Sequence, residues 1–225
     1  MGLYLYCVGR SDHPDPGPQT GIDGAAVRSP EVAGYRVWLS ALPASPAASL
    51  DRVRSHHAVI ERCCAPATLL PMRFGQWFDT EDGLAAALEG RRARLDRGLE
   101  RVRDAVEFGI RVIDPGFPAS AEVPDRSSGR AYLEALARRE REATARERRG
   151  ATVAVALERH LGSCIRAQCA RFMTSGALVA AAHLISRHDT GTYRERVRTF
   201  EESRPDLRFA LSGPWPPYGF VDDEG

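Results

Sequence analysis

From residue 106 onward the hydrophobic period switches between two and 3.6 residues in an order that few folds accept. Residues 106–113 alternate as a strand. Residues 114–129 are rich in Pro, Gly and Ser and read as a linker. Residues 130 to about 160 read as a long, highly charged helix, with Gly150 a candidate break in it. Glu134 with Arg138, and Glu142 with Arg146, stand at the favourable i,i+4 spacing. Such pairs are worth only ~0.3–0.5 kcal/mol each, so they solvate a helix rather than hold it in place. Two strands follow, at 165–174 and 177–186, with Ser175-Gly176 as the turn. Thr192-x-x-Glu195 fits a capping box for a helix carrying Tyr193, Val197 and Phe200, and Pro205 lies beyond its end. Leu207, Phe209 and Leu211 alternate as a last strand. The order β-α-β-β-α-β is that of a ferredoxin-like domain. Whether strand 106–113 pairs with the first half of the chain or the second is open at this level.

The first half reads as a second α/β part. Residues 3–8 and 35–42 read as strands, and residues 11–30, rich in Pro, Gly and Asp, as a long mobile loop between them. Leu50, Val53, His57, Ile60 and Cys64 step by three and four, one face of a helix that Ser49 can cap. Residues 68–78 follow as a half-buried strand, with Leu70, Met72, Phe74 and Phe78 on one side. Pro71, lacking an N–H, belongs at its start or on a sheet edge. Asp79 or Thr80 caps one further helix with the stripe Leu84, Leu88, Leu95, Leu99 and Val102. The expected fold class is therefore α+β. Residues 1–115 form a mixed sheet with two helices. Residues 116–225 form a ferredoxin-like domain with a long charged helix and a Pro/aromatic tail.

Composition removes several functions. With 31 basic and 30 acidic residues there is no net attraction to nucleic acid or to an anionic membrane surface. Every basic residue is Arg. A Lys Schiff base and the Lys of a phosphate-binding P-loop are thus excluded. No apolar run approaches the ~18–20 residues of a membrane span. The five cysteines are irregularly spaced and no secretory signal precedes them. Reduced, mostly buried thiols in a cytosolic protein are expected.

Few motifs suggest chemistry. His56-His57 and Cys63-Cys64 invite a metal reading. Yet a His and a Cys seven residues apart on a helix are separated by ~10.5 Å along its axis, too far to share one zinc ion. His160, His183 and His188 have no nucleophile in a recognised context, and Cys7 has no evident base. The arginines of 138–149 are interleaved with glutamates and lack stacking aromatics, which argues against RNA binding. No catalytic, cofactor-binding or metal-binding residue is assigned, and no small-molecule substrate is expected.

The most unusual segment is Gly213-Pro-Trp-Pro-Pro-Tyr-Gly-Phe220. Pro214, Pro216 and Pro217 fix φ and remove donors, so the chain there should be extended, with Trp215, Tyr218 and Phe220 projecting. Such a tail either covers an apolar patch on its own body or docks on another protein. Arg73 lies opposite Met72 and Phe74 and can pair with a local carboxylate or with a partner's.

Together with this octapeptide, three other segments carry a resemblance over essentially the whole chain. They are Leu3-Tyr-Leu-Tyr-Cys-Val8, then His57-x-x-Ile60-Glu61 followed by Leu70-Pro-Met-Arg-Phe-Gly75, and Gly129-Arg-Ala-Tyr-Leu133. The chain resembles the GvpL/GvpF family of gas vesicle proteins. Gly219 departs from the family, which often has a small polar residue there. The resemblance implies a minor structural or assembly protein of gas vesicles, the gas-filled protein shells that provide buoyancy. It implies no enzyme and no cofactor. The implied partners are the shell protein GvpA and other Gvp accessory proteins, and the implied location is the cytoplasm and the vesicle. Arg73, Pro214, Trp215, Pro217, Tyr218 and Phe220 are the candidate interface or tail-docking residues. The alternative is a cytosolic ferredoxin-like ligand-binding or regulatory domain, which would carry an apolar pocket.

Overall fold

A computed structural model describes residues 1–116, 128–170 and 177–221. The chain divides into two compact units, Met1–Glu107 with Pro214–Gly225, and Phe108–Gly213. The expected boundary at 115/116 lies inside the second of these.

The first unit holds strands β1 (Gly2–Arg10), β2 (Gln19–Thr20), β3 (Ala26–Val27), β4 (Glu31–Val32), β5 (Tyr35–Leu42), β6 (Leu70–Pro71) and β7 (Trp77–Phe78), and helices α1 (Leu50–Cys64), α2 (Glu81–Gly90) and α3 (Arg92–Arg101). β1 is central, with β5 along one edge and both β6 and β7 along the other. These pairings and that of β4 with β5 are all antiparallel, where a mixed sheet was expected. Leu5 pairs with Leu39 and Cys7 with Trp38, so Tyr6 is an extra residue in the ladder. Such a bulge turns the strand's alternation by one residue. Tyr4, Tyr6 and Cys7 therefore all join the core cluster that α1 covers.

Several expectations are corrected here. Residues 11–30 are built into the fold. Ile22 is fully buried, and its N–H donates to the Tyr6 hydroxyl at 3.0 Å. Tyr6 donates in turn to Ser40 Oγ at 3.1 Å, and Ser40 to the Ala26 carbonyl at 3.0 Å. A side chain at Gly21 would sit 2.1 Å from the Tyr6 hydroxyl, so only glycine fits. Residues 68–78 are not one strand. β6 and β7 bracket a bulge at 72–76, and Gly75 within it has φ +97°. Pro71 does sit on the outermost strand of its sheet path. The helix expected after Thr80 is two helices, broken at Arg91 just beyond Gly90, a residue of poor helix propensity. Its leucine stripe is buried throughout, and Thr80 Oγ1 caps α2 by accepting from Gly83 N at 3.0 Å.

The second unit is formed by β8 (Ala105–Ile113) from Phe108 on, α4 (Gly129–Leu161), β9 (Ile165–Ala170), β10 (Val179–Ser186), α5 (Thr190–Glu202) and β11 (Arg208–Trp215) up to Gly213. Its sheet has the order β11-β8-β10-β9, which places strand 106–113 with the second half of the chain. Most of the expected linker and the Ser175-Gly176 turn fall outside the described residues. Gly150 does not break α4. It lets the helix approach β10, because a Cβ there would lie 2.7 Å from the Leu178 carbonyl oxygen. Val153, Leu157 and Leu161 continue that buried face. The N-terminal half of α4 is solvated, with ion pairs Arg130–Glu134 and Arg138–Glu142 along it. α5 starts two residues before Thr192, so the expected capping box is not used, and Glu195 pairs with Arg198. Tyr193, Val197 and Phe200 face the core as expected. Leu207, buried, lies just before the last strand, and Leu211 within it is exposed, so the alternation does not mark a buried face.

Candidate interaction surface

α1 spans the residues its sequence predicts, with Ser49 accepting from Arg52 N at 3.3 Å. Its buried face is rotated from the expected one and carries His56, Val59, Ile60, Cys63 and Cys64. A histidine can lie there because both ring nitrogens are satisfied. The Met72 carbonyl can only accept, so His56 Nε2 donates to it at 2.9 Å. Nδ1 then accepts from the Tyr4 hydroxyl at 2.9 Å, and Tyr4 accepts from Gly75 N at 3.1 Å. Burial pushes His56 down to about 4 and Tyr4 up to about 12, so both stay neutral. The chain of bonds keys the 72–76 bulge to β1 and α1, and Phe74 packs against both rings. Arg73 is exposed on that bulge.

The C-terminal segment belongs to the same unit. β11 runs to Trp215, Pro216 and Pro217 are buried, and residues Tyr218–Phe220 make one 3-10 turn. The tail is thus extended only at its start. The Tyr218 hydroxyl lies 3.0 Å from His57 Nδ1, and its ring packs on the core cluster. Burial raises the Tyr218 hydroxyl above its usual range. Gly219 N donates to the fully buried Glu107 carboxylate at 2.6 Å. Phe220 is 1% exposed, beneath the Arg101 guanidinium at 5.6 Å.

The candidate residues therefore separate. Pro217, Tyr218 and Phe220 anchor the tail on its own unit. Pro214, Trp215 and Arg73 face solvent. Trp215 is 38% exposed, with its ring 5.7 Å from that of His57. Along the same face of α1, Leu50 and Val53 are 65% and 41% exposed. The spacing puts them on one helix face with Ile60 and Cys64, both of which are buried. Leu50 and Val53 instead extend an apolar strip from Trp215 and His57 along the helix. The signal for this was present, because Val59, Ile60, Cys63 and Cys64 form a tighter apolar set on a different face.

Among the described residues no three His, Cys, Asp or Glu side chains come together as a metal-binding group. His183 bonds through Nδ1 to the Tyr193 hydroxyl at 2.8 Å, and burial pushes it down to about 4. Beside it the second unit has an apolar groove of about 580 Å³, lined by residues that include Ala151, Ala154, Leu157, Leu178 and Ala181.

The family described as "Gas vesicle synthesis protein GvpL/GvpF" matches residues 2–222. "Gas vesicle protein L" of Streptomyces sp. (strain CB03234) is 30% identical over 76% of this chain and 69% of its own length. "Gas vesicle protein F" of the same strain is 26% identical over 99% of this chain and 100% of its own. In three dimensions the chain is similar to the crystal structure of gas vesicle protein GvpF from Anabaena sp. PCC7120, with TM-score 0.84 and 19% identity over 100% of this chain and 97% of that one.

Proposed function

We propose that this chain, which belongs to the GvpL/GvpF family of gas vesicle synthesis proteins, helps assemble the vesicle shell by binding other vesicle proteins rather than by catalysis. The observation that carries this reading is the extent of the family match, residues 2–222. Its partners are the shell protein GvpA and other Gvp accessory proteins, met in the cytoplasm and at the growing vesicle. The contact surface is the strip of Leu50, Val53, His57 and Trp215, with Arg73 and Pro214 as further solvent-facing contacts. Partly exposed aromatic and aliphatic side chains on a rigid base favour binding, because little is ordered on association. The element order and the sheet order β11-β8-β10-β9 support reading the second unit as ferredoxin-like.

The test is co-expression of the tagged chain with GvpA, followed by flotation of vesicles. The intact chain is expected to float with them, and a Leu50→Asp, Val53→Asp, Trp215→Ala variant to stay behind while folding normally. If the intact chain touches no vesicle component and vesicles form normally without it, the reading is wrong. A second reading, ligand binding by the second unit, is favoured by one observation, the apolar groove beside His183. A shift in melting temperature on screening apolar ligands, abolished by Ala154→Trp, would support it.

A further inference from the structure

In the second unit α4 passes over β10 on small side chains. Ala151 and Ala154 line the helix wall of the groove there, and Ala180 and Ala181 the strand wall. Methyl groups on both walls leave its 580 Å³ unfilled, within the ~300–1,000 Å³ of ordinary ligand pockets. One polar group stands apart in this lining. His183 is 1% exposed and borders the groove. Its Nδ1 meets the Tyr193 hydroxyl at 2.8 Å, and that hydroxyl has no other hydrogen-bond partner among the described residues. The hydroxyl proton therefore goes to Nδ1, and the ring proton of a neutral His183 sits on Nε2. Among the described residues Nε2–H has no partner of its own. A donor so placed costs free energy until an acceptor meets it.

We propose that this groove binds a neutral, apolar small molecule through one carbonyl oxygen, which accepts from His183 Nε2. The proposal rests on the ligand-binding reading of the second unit and names the ligand's chemistry. The apolar walls select the body of the molecule, and the lone donor fixes its orientation. The charge is set by what stands beside His183. Gln168 is its partner across β9 and β10, so the two side chains share a face. Gln168 Nε2 donates to Glu158 Oε1 on α4. The Glu158 carboxylate repels an anion at this end of the groove, so a ketone or amide oxygen fits where a carboxylate does not. The same bond ties the sheet to the helix, which bars an extended peptide from running through past His183.

The test compares three probes of like shape on the full-length chain: benzophenone, diphenylmethane and diphenylacetate. Titration calorimetry should rank benzophenone first, with diphenylmethane roughly tenfold weaker for want of the oxygen and diphenylacetate weakest. Illuminated benzophenone inserts into neighbouring C–H bonds, and peptide mapping should place the label on α4 or β10 at the groove. His183→Phe should abolish the preference for benzophenone over diphenylmethane while both still bind, and Ala154→Trp should abolish binding of all three. If the hydrocarbon binds as well as the ketone and the label maps to the groove, the carbonyl contact is overturned and the ligand-binding reading stands. If none of the three binds, or the label lies elsewhere, both fall. Loss of vesicle retention in Ala154→Trp would then give the groove to a protein partner. Circular dichroism establishes that each variant is folded. If His183→Phe is not, the ranking of the probes and the mapped label on the intact chain decide the matter.

Discussion

His56 and His57 are neighbours in sequence and lie on opposite sides of a physical divide. The inner face of α1 carries His56, and both of its ring nitrogens have a partner. The outer face carries Leu50, Val53 and His57, and its apolar groups are left in water at one end and covered by the tail at the other. Hydrophobicity alone would have reversed the two, with leucine inside and histidine outside. What decides is the complement on the other side. β1 and the 72–76 bulge offer His56 one donor and one acceptor at the right spacing. Leu50 is left 65% exposed.

The largest test of this contrast is His56→Ala. It opens a cavity and strands the Met72 carbonyl, and should lower unfolding free energy by about 3–4 kcal/mol in urea titration. His57→Ala should cost about 1 kcal/mol or less, and equal losses would erase the distinction between the faces.

Acid gives the next effect. His56 is depressed to about 4 when folded and returns to an ordinary value when unfolded. The unfolded chain therefore binds the extra proton first. Stability is full above about pH 6.5 and falls as pH drops toward 4, by about 3 kcal/mol. His183 in the second unit has the same depressed value and adds a similar loss. In His56→Gln the fall between pH 7 and 4.5 should be roughly halved. An undiminished slope would place the acid sensitivity elsewhere.

Tyr218→Phe removes one half-buried hydrogen bond to His57 and should cost about 1 kcal/mol, seen as a small fall in melting temperature. Leu50→Ala, Val53→Ala and Trp215→Ala should change stability by only about 0.5 kcal/mol, yet reduce retention on floated vesicles. A large stability loss from any of these would make the outer face structural and sink its role in docking.

Much of this arrangement is legible in the sequence where the causes are local. Ser49 and Thr80 mark their helices because capping is chemistry over three residues. The buried leucines of α2 and α3 follow from spacing, and the tail from its prolines and aromatics. What depends on a partner segment is not legible. The bulge at Tyr6 exists only in register with β5. The rotation of α1 follows from where Tyr4 and Met72 place their polar atoms. Gly150 looks like a helix breaker until the Leu178 carbonyl is seen against it. The candidate surface divides in the same way. Trp215 and Tyr218 stand out in sequence, but their separation into a solvent-facing residue and an anchor depends on His57, which lies 161 positions from Tyr218.

The tail has a consequence for how the molecule is made. The first unit is closed by residues that lie beyond the whole of the second. During synthesis its sheet and helices emerge early. His57 and the Glu107 carboxylate then wait for Tyr218 and Gly219, by roughly 5–30 s at ordinary elongation rates. Until those last residues arrive, the ledge that will hold Phe220 is open and sticky. A nascent chain paused in the second unit would display that ledge to chaperones and proteases, and only a chain translated past Phe220 would hide it.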